Sequence, residues 1–343
     1  MMRLPLSWLL AFTTAALALL LLGSLATGPM TLTLGESLRA LFAGQESGIE
    51  SHKLLIVQEI RLPRTLLCIA VGGILGLCGA VMQGLFRNPL ADPGIIGVSG
   101  GAALGAALAI VLLAPLGQQL QATIGVGLLP LLAFLGGALT TTLVYLLGTR
   151  EGGTSVTVML LAGVAITALS GAVIGLLTYL ADDQMLRNLS LWQMGTLAAG
   201  KPADVALALL TLAALLWLFM RDANPLNALL LGEGEARHLG VNVQSLKRRL
   251  ILLTAAGVGV AVAVSGMIGF VGLVVPHLVR LLAGPNHVRL LPLSALLGAA
   301  LLLAADMLAR TLLALAELPV GIITALLGAP FFIWLLVKGR RAL

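Results

Sequence analysis

Charge is scarce in this sequence. Lys, Arg, Asp and Glu together make up 10% of its 343 residues, against about a quarter in a soluble domain. Hydrophobic residues reach 59% and mean hydropathy is +1.08. An ordinary soluble globular domain is thereby excluded and an integral membrane protein implied. Cysteine is nearly absent as well. Cys68 and Cys78 fall on one apolar run, about 15 Å apart along a helix, too far to bridge, and read as small buried hydrophobes. The four histidines, His52, His238, His277 and His287, have no metal-ligand spacing. No nucleophile or carboxylate pair is set up for catalysis, so no cofactor, metal or enzyme active site is expected. The formal charge of +6 is not a nucleic-acid signature, because the basic residues lie in short segments between apolar runs.

What the sequence has is apolar length and glycine. Its 41 glycines suit membrane helices whose backbones pack closely. A bilayer crossing needs roughly 20 mostly apolar residues. On that rule the expected fold is all-α and polytopic, with about ten transmembrane helices near 5–27, 62–86, 93–113, 124–148, 155–180, 192–219, 249–266, 269–284, 290–309 and 318–337. The first run exceeds the roughly 7–15 residues of a signal-peptide core and is read as a helix. SGMIGFVGL favours two helices over one within 249–284, and the third span is interrupted by the glycines of IIGVSGGAALG.

An even number of spans puts both termini on one side. With that side cytoplasmic, thirteen basic residues fall inside and seven outside, which satisfies the positive-inside rule. Segment 31–60 then lies outside, and 220–248 is the longest cytoplasmic connection. Arg61 and Arg64, in EIRLPRTLL (59–67), face out against the general bias. Pro63 between them is expected to start the helix, so that the pair stands as a firm rim.

Several stretches carry possible chemistry. GTLAAGKP (195–202) has the spacing of a phosphate-binding loop, but Pro202 stands where a hydroxyl is needed and no strand precedes it. No other stretch resembles an ATPase, so any ATP-driven work must come from a separate subunit. Asp306 stands four residues before Arg310, a helical ion-pair spacing; with Glu317 it is the acidic residue nearest the membrane interior, where such groups are functional suspects. In 220–248, the apolar LNALLLG followed by GEGEARHLG reads as a short interfacial helix offered to a soluble partner, since a bare loop would not expose three leucines. In FRNPLADPGIIGVSGG, Asn88-Pro89 and Asp92-Pro93-Gly94 force non-helical backbone, which a membrane tolerates only inside protein or along a water-filled cavity. GAVMQGLFR (79–87) echoes GLVVPHLVR (272–280), a faint sign of repeated halves.

RLPRTLL, GAVMQGLFRNPLADPGIIGVSGGA, LLGEGEARHLGV, GFVGLVVPHLVR and ADMLARTLLALAELPVGIITALLGAPFFIWLL closely resemble, in order from about Arg61 to Lys338, the FecCD-like permeases of ATP-driven importers for iron-siderophores, haem and vitamin B12. The resemblance implies one permease domain over 1–343 in the bacterial inner membrane, working as a homodimer. Two ATP-binding-cassette ATPase subunits would bind below and a periplasmic substrate-binding protein above. It further implies that Arg61, Arg64 and Arg310 receive glutamates of the binding protein. Leu229, Leu230, Leu231, Gly232, Glu233, Gly234, Glu235, Ala236, Arg237, His238 and Leu239 would fit a cleft in the ATPase. Asn88, Pro89, Asp92, Pro93 and Gly94 are candidates for an inner gating turn. Overall similarity ranks haem first as cargo, then ferric siderophores, then cobalamin. The competing class, a transporter driven by an ion gradient, would need Asp306 or Glu317 as its ion site.

Overall fold

The computed structural model describes residues 5–30, 32–42, 50–114, 116, 127–150, 153–198, 200–313 and 316–339. Arg3, Glu46, Arg340 and Arg341 of the charge pattern lie outside the described residues. In chain order the first helices are α1 (Leu6–Ala26), α2 (Leu34–Phe42), α3 (Ser51–Leu85), α4 (Val98–Val111), α5 (Leu128–Gly148) and α6 (Val156–Leu180). There follow α7 (Asp183–Gln193), α8 (Pro202–Arg221), α9 (Ala223–Leu230) and α10 (Glu233–His238). The last four are α11 (Val243–Ser265), α12 (Val271–Ala283), α13 (His287–Thr311) and α14 (Val320–Gly339). A two-stranded antiparallel pair, β1 (Thr149–Arg150) and β2 (Gly153–Thr154), joins α5 to α6. Among the described residues seven helices, α1, α3, α5, α6, α8, α11 and α13, are long and apolar enough to cross a bilayer. The shorter apolar α4, α12 and α14 accompany them.

Three expectations about boundaries are corrected. Pro63 does not start a helix: it lies inside α3, which begins at Ser51 and runs 35 residues, taking in the end of the expected outer segment. Proline lacks a backbone donor and its ring crowds the carbonyl four residues back. The chain accommodates this with a π-turn at Ile56–Arg61 just before it, a widening that relieves the crowding without breaking the helix. The sixth apolar run begins at Pro202 rather than near 192. Gly195 has φ +72°, and Pro202 is a favoured first-turn residue for the new helix. Finally, α11 starts at Val243, so the basic cluster Lys247, Arg248 and Arg249 lies within the helix and not in the connection before it.

Other expectations are met. The third run is broken: Pro93–Ile96 form a 3-10 turn, Gly97 takes φ +84°, and α4 follows. The 249–284 region forms two helices, joined through Gly266 (φ +69°) and Phe270 (φ +68°). A helix precedes GTLAAGKP, not the strand that a phosphate loop requires.

The core is built around α3, whose apolar window is 89% buried, against 17% for α6. It packs against α13, α8, α12 and α11. Small residues allow the closest of these contacts: a Cβ on Gly72 would stand 2.4 Å from the Gly298 carbonyl oxygen, and one on Gly298 2.3 Å from that of Gly72. Side chains there would force α3 and α13 apart. The faint sequence echo also has a spatial counterpart, since a Cβ on Gly79 would meet the Gly272 carbonyl at 1.9 Å, where α3 crosses α12.

Candidate functional site: polar clusters at the two ends of the bundle

The three arginines singled out by sequence converge. Arg61 and Arg64 come from α3, and Arg310 from the last turn of α13, where these helices meet the end of α1. All three are buried, at 3%, 5% and 4% exposure, around a fully buried Asp306. Arg64 donates from Nε (3.0 Å) and Nη2 (2.9 Å) to Asp306 Oδ1. Its Nη1 donates to Glu317 Oε2 at 2.6 Å. Arg310 Nη2 lies 2.9 Å from Asp306 Oδ2, the ion pair expected from the four-residue spacing. The same nitrogen donates to Ser24 Oγ at 2.7 Å, and Ser24 Oγ is 2.7 Å from Thr65 Oγ1. Arg61 has neutral partners: its Nη1 donates to the carbonyls of Leu25 (2.7 Å) and Ala26 (2.9 Å), and its Nη2 to that of Met30.

The Leu25 and Ala26 carbonyls belong to the last turn of α1, where no intrahelical donor follows, and Met30 lies just beyond that helix. The cluster therefore does two things. It caps α1 with guanidinium donors, and it keeps three cations against two carboxylates, a net charge of +1. Asp306 is held between two arginines, which leaves no free anionic site for a coupling cation. The expected firm rim is instead a buried network whose solvent access is a cavity of about 340 Å³ lined by Gly28, Pro29, Arg310, Thr311, Leu313, Ala316 and Glu317. Nearby, Glu36 accepts from the Thr33 amide and from Lys53. These bonds, the amide foremost, hold its carboxyl down at about 2.

The other end carries the remaining candidates. Arg87 closes α3 in the left-handed region (φ 49°), with Asn88 N donating to the Gln83 carbonyl at 3.1 Å. That is the Schellman geometry, here without glycine. Asn88 Oδ1 then accepts from Leu90 N (2.9 Å) and Asp92 Oδ1 from Gly94 N (2.7 Å), so both proline turns are fixed by side chains. Burial pushes the Asp92 carboxyl above its ordinary range, and the Gly94 bond pulls partly against it. A Cβ on Gly272 would come within 3.3 Å of Pro93 and 3.5 Å of Asp92, which docks this turn on the start of α12.

Where one short helix is expected, the chain forms two, α9 and α10, broken at Gly232 (φ +123°). Leu229 and Ala236 are buried, whereas Leu231 and Leu239 are 68% and 63% exposed. Two large apolar side chains thus stand in the open beside Arg237, which is also exposed. Behind them lies a group that sequence reading missed. Lys247, 2% exposed, donates to Glu233 Oε1 at 2.6 Å and to the Thr154 carbonyl at 3.0 Å. In a list of charges it looked like a basic flank of the next span; only its place on the inner face of α11 reveals it. Asp222 and Arg249 form a further fork, with Nε to Oδ2 at 2.8 Å and Nη2 to Oδ1.

The comparisons with known proteins agree along nearly the whole chain. The hemin transport system permease protein HmuU of Yersinia pestis is 47% identical over 336 residues, 97% of this chain and 96% of that protein. The cobalamin import system permease protein BtuC of Halobacterium salinarum is 44% identical over 297 residues, 87% of this chain and 77% of that protein. A solved metal-chelate-type ABC transporter in an inward-facing conformation superposes with a TM-score of 0.82 at 34% identity, covering 97% of this chain and 99% of that one. Residues 16–338 match the FecCD transport family, and the chain belongs to that family of membrane permeases.

Proposed function

We propose that this chain is the transmembrane subunit of an importer that carries haem across the bacterial inner membrane, working as a homodimer with two ATP-binding-cassette subunits. The observation that carries the cargo assignment is the 47% identity with a hemin permease, sustained over 97% of the chain. In this reading all ten apolar helices cross or enter the membrane, and both termini are cytoplasmic. The arginine cluster is then periplasmic, and α9 and α10 face the ATPase.

A substrate-binding protein docks by its carboxylates on Arg61, Arg64 and Arg310. Supporting this are the net charge of +1 in the cluster, the carbonyl-only partners of Arg61, and the cavity that opens onto Arg310. Arginine forks favour bidentate carboxylate contacts, and such charges steer encounter and fix register more than they add affinity. On the other face, exposed Leu231 and Leu239 supply an apolar patch for the ATPase cleft, and the Asn88–Gly94 turn is a gating element beside it.

The experiment is transport into liposomes holding the permease with its ATPase and binding protein, offered haem, cobalamin or a ferric siderophore at equal concentration. ATP-dependent accumulation of haem ahead of the other two is expected. Preference for cobalamin or the siderophore would overturn the cargo. Accumulation by the permease alone, driven by an ion gradient, would overturn the class.

A further inference from the structure

Lys247 occupies an unusual position for a lysine. It lies on α11 with its ammonium buried, and its partners belong to two separate elements: Glu233, the first residue of α10, and Thr154, the last residue of β2. The same strand residue is gripped a second time from α11. Gln244 Nε2 donates to Thr154 Oγ1 at 2.6 Å, and the Thr154 amide donates to Gln244 Oε1 at 3.2 Å. Thr149 and Thr154 hydroxyls are 3.1 Å apart across the strand pair. Ser155, the next residue, caps α6 by accepting from Val158 N. One polar clamp thus runs from α10 through Lys247 and Gln244 to the hairpin and into the first turn of α6.

What it joins gives the clamp its meaning. α10 has exposed leucines on either flank, and α6 is a long helix with little of its apolar window buried, packed mainly on α4, α5 and the Pro93–Ile96 turn. A buried ammonium costs several kcal/mol to desolvate unless its partners hold it well, so the lysine favours one relative placement of α10 and β2. Packed apolar contacts alone would let these two short elements slide.

We propose that Lys247 is a positioning residue that transmits movement of the α10 segment to the base of α6, so that hydrolysis in a partner bound at α10 is converted into displacement of α6. This rests on the proposed ATPase docking at α10. Lys247→Met keeps the length and apolar stem and removes the bridging donor; Lys247→Arg restores a charged donor.

Two measurements test it. The first uses the permease alone, spin-labelled at Glu235→Cys on α10 and Thr157→Cys on α6, both exposed positions; Cys68 and Cys78 are fully buried and remain unlabelled. The distance distribution should be narrow in the parent, broad in Lys247→Met and narrow again in Lys247→Arg; equal widths in parent and Met variant would overturn the clamp. The second uses the reconstituted complex and reads cargo moved per ATP hydrolysed. Lys247→Met should hydrolyse ATP within about twofold of the parent while the transport ratio falls about tenfold, a coupling loss of the size typical between linked sites. Hydrolysis and transport falling in proportion, or neither changing, would refute transmission. Failure of the parent permease to co-purify with the ATPase would instead refute the docking reading, and the spin-label result would still stand on its own.

Discussion

Asp306→Asn changes one charge and almost no volume, which makes it a clean probe of the arginine cluster. The parent carboxylate has no exposure and receives Arg64 at 2.9 and 3.0 Å and Arg310 at 2.9 Å. With asparagine the cluster rises from +1 to +2, and the amide presents donors toward guanidiniums that have none to accept them. Removing one partner of a buried ion pair costs about 3–5 kcal/mol, because the surviving charge is left uncompensated in a medium that cannot solvate it. Arg64 keeps Glu317, and Arg310 keeps Ser24 Oγ and the Ser24 and Thr27 carbonyls, so the lower part of that range is expected. Glu317→Gln is the internal control. Its side chain is 36% exposed, solvent screens the lost charge, and at most about 1 kcal/mol should follow. Unfolding in mixed detergent micelles, followed by far-ultraviolet circular dichroism, measures both. A loss below about 1 kcal/mol for Asp306→Asn, or one no larger than for Glu317→Gln, would refute the view that Asp306 holds the cluster together. A double-mutant cycle with Arg310→Met should show strong coupling, since the arginine is harmful only once its partner is gone.

Other outcomes follow from the same geometry. Gly79→Ala puts a Cβ 1.9 Å from the Gly272 carbonyl oxygen, and neither side of that contact is a flexible side-chain tip. Overpacking of this kind costs about 1–3 kcal/mol or more, measured as a lowered unfolding midpoint; Gly171→Ala, inside α6 with no neighbour within 4 Å, should not lower it, since alanine suits a helix interior better than glycine. Glu36 has its folded pKa depressed from 4.5 to about 2, so its contribution to holding α2 is present above pH 4.5 and is lost as pH falls toward 2. A carboxyl chemical-shift titration with a midpoint near 4.5 would contradict the Thr33 and Lys53 contacts. Changing Arg61, Arg64 and Arg310 together to glutamate should abolish uptake and the stimulation of ATP hydrolysis by the binding protein. Unchanged values for both would end the docking proposal, while single arginine changes with intact folding would locate the residue that matters most.

Much of the architecture could be read from the chain because hydropathy is a local signal. All ten apolar runs appear as helices, and the two-helix reading of 249–284 holds because Gly266 and the turn after it cannot continue a helix. Where expectation failed, the cause lay in contacts distant in sequence or in backbone detail. Pro63 looked like a helix start, yet a π-turn absorbed it, and only the packing of residues 51–60 against α2 and α1 makes the longer helix worthwhile. Arg61 looked exposed because it flanks an apolar run. Its partners, the Leu25, Ala26 and Met30 carbonyls, lie about 30 residues away and belong to no pattern that a sequence displays. Asp306 and Arg310 were found because four-residue spacing is a helical rule; Arg64 reaching Glu317 across the bundle had no such rule. Lys247 was missed for the same reason, since a basic residue before a span normally means a topology marker.

The arginine cluster also bears on the charge bias that the proposed topology sets at Arg61 and Arg64. That bias concerns cations that a loop must keep on one side of the bilayer. Arg64 and Arg310 are largely neutralised by Asp306 and Glu317, so the cluster carries a net charge of +1, held on Arg61, rather than +3. The cluster is fastened to the glycine-packed pair α3 and α13, whereas the clamp at Lys247 ties α10 and α11 to the hairpin that leads into α6, a helix with little of its apolar window buried. Local openings draw on weakly packed elements. A partner meeting the arginine end therefore meets a frame, and a partner pushing on α10 meets the part that can yield. Signals received at one end need not travel through a moving α3 to reach the other. Under the proposed coupling, the frame holds still while α6 shifts against it.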